Sequence, residues 1–206
     1  MPRALTHDEI ASFRDGLCRV ATRLFAEHGV EGVTLRAIAG ELGCSPMTPY
    51  RYFANKGEIF RAVRLAGFEE FGRRIRETAA RHPDDPRERY RALGRTYLQF
   101  ALDEPHAYRV MFQLDRDPDP ADQEFEALAR STWAPLLETT RELISRGDLV
   151  GDPNVIAHLS WVTLHGAVTL HLSQHLRFEC GLDDLAEPIL DMILPPTPAR
   201  PAEEVR

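Results

Sequence analysis

The chain has 206 residues, enough for one large or two small domains, and 43% of them are hydrophobic, enough to fill a buried core. Its formal charge of −7 argues against a uniformly basic coat for nucleic acid, but the charge is unevenly spread: residues 1–80 hold 12 basic and 10 acidic side chains, the remainder 13 and 22. Three cysteines without zinc spacing, no secretory leader and no apolar run of about 18 residues argue against a disulfide scaffold, a zinc finger and a membrane span, and predict a cytoplasmic protein.

The first predicted helix covers 8–28, with Phe13, Leu17, Val20, Ala21, Leu24 and Phe25 on one face and Gly29 after it. Thr34 is placed to N-cap a second helix over 35–42, whose Leu35, Ile38, Ala39 and Leu42 follow the i, i+3, i+4, i+7 pattern of one apolar face. Gly43 closes it, the residue type that best adopts the left-handed conformation. Ser45 and Pro46 then open a third helix over 46–53, about two turns long, which carries Met47, Thr48, Tyr50, Arg51 and Tyr52. Within it Pro49 removes one backbone bond, that to the carbonyl of Ser45, so an irregular opening turn is expected rather than loss of the helix. Asn55 caps the next helix, with Glu58 in the capping-box position and the chain's single lysine, Lys56, in the first turn. A helix, a tight turn and a short exposed helix form the arrangement that places its second helix in the major groove of DNA. The same spacing also occurs in helical bundles that bind no DNA, so spacing alone leaves both readings open.

Beyond residue 60 the pattern stays helical. A linking helix continues over 61–80, and His82 to Pro86 form a breaker loop. Helices are predicted over 87–102, 106–114 and 122–146, the last kinked or split at Pro135. A helix over 154–178 is apolar on most of its circumference and needs cover on several sides; a final helix spans 182–194, and the Pro-rich tail 195–206 is expected to be disordered. With no convincing strand, the fold class is all-α, with about nine helices. The expected domains are 8–60, a three-helix helix-turn-helix unit; 61–80, the linking helix; and 86–194, a larger helical body.

Residues 24–60, LFAEHGVEGVTLRAIAGELGCSPMTPYRYFANKGEIF, resemble the tetracycline-repressor-like (TetR) transcriptional regulators. The elements FAEHG, T-x-x-x-I-A-x-x-x-G-x-S, T-x-Y-x-x-F and the following lysine stand together at that family's spacing, although Pro49 replaces the family's usual leucine. Residues 97–112 and 161–173 resemble one C-terminal subtype of it, marked by a tryptophan followed by His-Gly, here Trp161, His165 and Gly166. The resemblance implies a ligand-responsive regulator, a repressor by expectation, that binds a palindromic operator as a homodimer and is released by a small effector, with no enzymatic activity and no cofactor. It implies that Thr34, Ser45, Tyr50, Tyr52 and Lys56 contact phosphates, with Arg36 also in the DNA-facing set. Met47, Thr48 and Arg51 are the candidates for base edges, Arg51 being able to hold guanine O6 and N7 together. The helices near 154–178 and 182–194 are implied to pair with their copies as a four-helix bundle. The apolar circumference of the first points independently to a partner.

An effector pocket is expected among Tyr97, Phe100, Ala101, Met111, Phe112, Trp133, Leu137, Trp161, His165 and Thr169. That lining suits a small, largely hydrophobic, uncharged or weakly polar molecule; Arg109, if it faces inward, would instead recruit an anion. Other chemistry competes poorly. His171 and His175 share a helix face, but the zincin pattern needs a glutamate where Leu172 stands, and no acidic or cysteine ligand lies nearby, so no metal is expected. Cys44, before the short third helix, reads as a small residue packed in a turn rather than a redox switch. No nucleophile elbow, phosphate-binding glycine loop or pair of catalytic carboxylates is present.

Overall fold

The computed structural model describes residues 6–112 and 122–196. In chain order these form α1 (His7–Gly32), α2 (Leu35–Glu41), a 3₁₀ turn (Pro49–Arg51), α3 (Lys56–Arg81), α4 (Pro86–Asp103), α5 (Pro105–Met111), α6 (Gln123–Ser145), α7 (Pro153–Leu172) and α8 (Leu182–Ile193). The fold is all-α, as the periodicities predicted, and the described residues contain no strand. The last residues of the helix expected over 106–114 and most of the expected tail lie outside the described residues. The chain divides into two compact units, residues 1–74 with 100–132, and 75–99 with 133–206; α3, α4 and α6 each lend residues to both.

The first unit is built on a closed apolar cluster: Leu17, Ala21, Leu24 and Phe25 from α1, Leu35 and Ile38 from α2, Phe53 after the turn, Ile59, Phe60 and Val63 from α3, and Val110 from α5. Phe25 and Phe60 meet edge to face with centroids 5.8 Å apart. Burying each such side chain contributes roughly 1.5–3 kcal/mol. The helix ends follow the expected chemistry. Ala37 N–H donates to Thr34 Oγ1 at 3.1 Å, capping α2. Gly43, at φ +65°, closes it with bonds from its own N–H to Gly40 O and from Cys44 N–H to Ala39 O.

The regular part of α1 ends at His28, where the sequence placed its end, because Gly29 adopts the non-helical φ +70°, ψ 162°; a further turn to Gly32 follows, and Val30 and Val33 bury. Three expectations need correction. Of the two outcomes expected at Pro135, a kink or a split, the split does not occur: α6 runs unbroken through it. Only one backbone bond is lost there, and the hydroxyls of Thr132, Thr139 and Thr140 each donate to the carbonyl four residues back. The helix predicted to reach 178 stops at Leu172. Gln174 takes the left-handed conformation (φ +59°), Gln174 N–H bonds His171 O and His175 N–H bonds Leu170 O. This is the same closing motif as at Gly43, made without a glycine. Finally, α7 does satisfy the length and composition of a membrane-crossing helix, because its serines, threonines and glycine are uncharged interruptions. Only 33% of its apolar stretch is buried by its own chain.

In the second unit Arg89, itself buried, spends its guanidinium on Thr139 Oγ1, on the carbonyls of His82 and Pro83, and on the carboxylate of Glu142. Nearby, Tyr90 OH and Ser160 Oγ lie 2.6 Å apart, and Ser160 also donates to Ile156 O. The two sites give opposite expectations for single substitutions. Arg89→Leu strands several acceptors at once and should cost about 3 kcal/mol, whereas Tyr90→Phe leaves Ser160 still bonded and should cost about 1 kcal/mol. Urea unfolding followed by circular dichroism measures both; equal losses would contradict the network assigned to Arg89.

Candidate nucleic-acid interface

The segment between α2 and α3 is where the sequence places the DNA-reading surface. Thr48 N–H donates to Ser45 O at 2.8 Å, Arg51 N–H to Thr48 O at 3.0 Å and Tyr52 N–H to Pro49 O at 3.0 Å, three-residue steps, and Phe53 N–H shares the Pro49 carbonyl at 3.0 Å in a four-residue step. Pro49 is buried. The helix expected over 46–53 is therefore a single 3₁₀ turn flanked by turns, and the described residues hold eight α-helices where about nine helices are expected. Proline explains the change. An α-helix here would use the Pro49 N–H to satisfy Ser45 O; with that donor missing, the carbonyl accepts from Thr48 instead, which tightens the opening of the segment into three-residue steps.

The turn and α2 still present exposed side chains to solvent. Thr34, Arg36, Ser45, Met47, Tyr50 and Arg51 are exposed, Met47 at 68% and Tyr50 at 52%, while Ile38, Pro49, Phe53 and Ile59 are buried beneath them. Thr48 is half-buried. Ser45 Oγ accepts from Met47 N–H at 3.4 Å, holding the start of the segment. Tyr52 is less available than the sequence suggested: it is half-buried and its ring packs on Phe13 of α1 at 4.7 Å. Lys56 is half-buried and its ammonium lies 3.2 Å from Glu31 Oε2. The cap of α3 works as the sequence predicted, with Glu58 N–H on Asn55 Oδ1 at 3.0 Å, except that the Glu58 carboxylate accepts from Ala54 N–H.

Two contributors escaped the sequence. Arg14 of α1 donates to Tyr52 O at 3.2 Å and lies over the Phe53 ring at 4.5 Å, fixing the end of the turn. It is separated from that turn by 38 residues, so no local pattern connects the two. Glu31, the partner of Lys56, carries no capping or motif signal in the sequence.

The expected effector-lining residues fall in different units. Phe100, Ala101 and Met111 are closed into the core of the first, with Phe112 half-buried against Phe68 and Tyr108. A cleft of about 340 Å³ lies in this unit, lined by Arg19, Arg23, Val63, Glu70, Phe100 and Asp103 among others; Phe100 alone of the expected set borders it. Hydrogen bonds from Arg73 and Arg74 hold the Glu70 carboxyl down to a pKa of about 2. Arg109 is exposed. In the second unit an aromatic row runs along α7. Trp133 packs on His158 at 4.6 Å and meets Trp161 edge to face at 6.3 Å; Trp161 lies 5.7 Å from His165, whose Nδ1 is 3.3 Å from Tyr97 OH. Leu137 is half-buried and Thr169 exposed. Among the described residues no group of three His, Cys, Asp or Glu side chains is placed to hold a metal.

A capped helix, a glycine-closed turn and a buried scaffold carrying an exposed polar segment define a helix-turn-helix protein. The sequence patterns of known families agree. Residues 17–63 match the bacterial regulatory proteins of the tetR family, and residues 90–193, half of the chain, match the tetracyclin repressor-like C-terminal domain. The chain belongs to this family of DNA-binding transcriptional regulators. It is 25% identical over 157 residues to the HTH-type transcriptional activator FasR of Mycolicibacterium smegmatis, a match spanning 76% of this chain and 68% of that protein. Two solved structures establish the fold. A protein of unknown function from Rhodococcus sp. RHA1 superposes with a TM-score of 0.75 at 24% identity over 94% of this chain and 97% of that one. AibR in complex with isovaleryl coenzyme A and operator DNA gives 0.71 at 20% identity over 89% and 99%.

Burial lowers the pKa of His165 below its ordinary 6.5. In the unfolded chain the imidazole takes up its proton first, so this group favours the folded state above the ordinary value and that contribution is lost as pH falls through the lowered one. Thermal melts between about pH 7 and pH 5 should show the wild type losing stability, and His165→Gln should flatten the slope. An unchanged slope would remove His165 as its source.

Proposed function

We propose that the protein is an effector-responsive regulator that binds a palindromic operator as a homodimer, with a repressor's action, and that its second part is of the Trp-His-Gly subtype through Trp161, His165 and Gly166. The observation that carries the reading is the exposed set Thr34, Arg36, Ser45, Met47, Tyr50 and Arg51, spread over a buried helix-turn-helix core. Domain roles follow: residues 8–60 read DNA, 61–80 link, and 86–194 bind effector and partner. Thr34, Ser45, Tyr50, Tyr52 and Lys56 take phosphates, Thr34 and Ser45 by virtue of backbone N–H groups near them. Met47, Thr48 and Arg51 meet base edges. The 3₁₀ turn shortens the reading element, which supports a larger share for the two exposed side chains at its centre, Tyr50 and Arg51.

Fluorescence anisotropy with DNA from upstream of the protein's own gene, against a random duplex, tests this division. Lys56→Ala should weaken both and lower the salt slope by about one per head, while Arg51→Ala should cost about 1–3 kcal/mol on the upstream site alone. Equal losses on both duplexes from both substitutions would refute the division, and failure of the wild type to prefer either duplex would refute operator binding. A reporter fused to that promoter reads the direction: expression that rises on deletion marks a repressor, and expression that falls marks an activator, as FasR is named.

The partner is supported by α7. Val155, Leu159, Val162 and Leu170 are 57, 54, 59 and 47% exposed on a helix whose apolar stretch is mostly uncovered, and Met192 of α8 is 64% exposed. A second copy pairing α7 and α8 with their equivalents covers this stripe. Leu159→Glu or Leu170→Glu should give monomers by light scattering that no longer hold the operator. A wild type that is monomeric at micromolar concentration would defeat the assembly.

For the effector, the Tyr97, Trp133, Trp161 and His165 row supports a small, largely apolar molecule with a polar end. AibR is described with isovaleryl coenzyme A, so branched short-chain acyl thioesters are the first compounds to titrate. The only two tryptophans both stand in this row, so quenching and operator release over one concentration range is the expected outcome.

A further inference from the structure

We infer that Glu31 is an internal anion that competes with DNA for Lys56 and thereby sets how tightly each head holds a duplex. The inference rests on the proposed role of Lys56 as a phosphate contact.

The backbone explains why the two side chains meet. Gly29 breaks α1 at φ +70°, and the turn that follows buries Val30 and Val33. Glu31, between them, is turned outward with its side chain 84% exposed. Lys56 is fixed from the other side by the cap of α3, where Asn55 accepts from Glu58 N–H. The Glu58 carboxylate, two residues from Lys56, is already committed to Ala54 N–H at 2.7 Å. The ammonium of Lys56 turns instead to Glu31 Oε2, 3.2 Å away and 25 residues earlier in the chain. Glu31 also lies three residues before Thr34, the cap of α2 and the other helix-start phosphate candidate.

A carboxylate and a phosphate oxygen make the same demand on an ammonium group. An exposed ion pair is worth little, so a DNA phosphate displaces the carboxylate readily. The released Glu31 then sits beside the phosphate that displaced it, and the two like charges repel. Every duplex bears the same phosphates, so the penalty falls equally on operator and random sequence. Residues 8–60 hold 6 basic and 7 acidic side chains, a net of −1, so one negative charge at the head's one lysine is a large fraction of its field.

The test uses the full-length protein and a fluorescently labelled duplex of random sequence, which needs no knowledge of the operator. Glu31→Gln keeps the shape and removes the charge. It should tighten binding about ten-fold in low salt, as two heads each gain roughly three-fold, and the gain should fade as salt rises. The Lys56→Ala background separates the causes. There Glu31→Gln should gain clearly less than in the wild type, since the competition for the lysine is gone and only the repulsion of the phosphate remains. If Glu31→Gln leaves wild-type affinity unchanged while Lys56→Ala weakens it, the guarding role is overturned and the phosphate contact stands. If Lys56→Ala itself changes nothing, the phosphate contact fails and the inference with it. If Glu31→Gln tightens binding equally in both backgrounds, Glu31 acts on DNA through its general field and the specific competition is overturned. Glu31 is exposed and Lys56 only half-buried on the outer face, so unchanged melting curves are expected alongside.

Discussion

Neither element of the DNA-reading motif is long enough to hold its own shape. Helix α2 has seven residues and the turn after it three, well below the length at which an isolated helix persists in water. Their geometry is therefore borrowed from the apolar cluster beneath, in which Leu17, Ala21 and Phe25 of α1 and Ile59, Phe60 and Val63 of α3 clamp Ile38 and Phe53 from both sides. Phe53 is the central piece. It anchors the end of the turn in the core, Arg14 lies across its ring, and the backbone on its N-terminal side is thereby fixed with Tyr50 and Arg51 outward. The exposure of those two side chains follows from the burial of their neighbours.

The sequence revealed much of this because helix starts and apolar faces are local signals. Thr34, Asn55 and Gly43 do what their residue types dictate, and Leu35, Ile38 and Ala39 bury as their spacing requires. Pro49 was visible too, but its consequence was underestimated. Counting the single lost bond predicts an irregular first turn, whereas in a segment of two turns that bond is a large share of the total: the segment opens in three-residue steps and recovers a four-residue bond only at its end, from Phe53 N–H to Pro49 O. In α6 the same residue type is harmless, since Pro135 sits in a 23-residue helix with many other bonds. Length decides which effect wins.

What stayed hidden was long-range or lacked the usual residue. Gln174 closes α7 in a conformation that residue preference assigns to glycine, so periodicity alone predicts a helix six residues too long. Arg14 and Glu31 reach the DNA-facing segment from 38 and 25 residues away, and no periodicity links them to it. The pocket residues show the same limit. Aromatics at helical spacing gave one list, yet Phe100, Ala101 and Met111 are closed in one unit's core while Trp133, Trp161 and His165 form a half-exposed row in the other. Periodicity identifies which residues turn inward, and it is silent on whether they meet a cavity or another side chain.

The uncovered apolar stripe of α7 and the modest charge of the head bear on one another. A head with a net charge of −1 over residues 8–60, one short reading turn and a lysine engaged by a carboxylate gathers few contacts on a single half-site. Joining two such heads turns the second contact into an intramolecular one, and the affinity of the pair then approaches the product of the two multiplied by the effective concentration. Under that arithmetic a weak head is an advantage. Random DNA, which satisfies the phosphate contacts but not Arg51, is held loosely by each head and loses on both, so discrimination is squared along with affinity. It also leaves the regulator easy to release, because an effector that displaces one head from its register forfeits the whole intramolecular gain. A differential affinity of about 1–3 kcal/mol between two states then lowers operator affinity roughly 5–150-fold, enough to shift the occupancy of a site held near half-saturation. In the proposed assembly, the hydrophobic contact along α7 supplies the strength, and the DNA face stays weak enough to be switched.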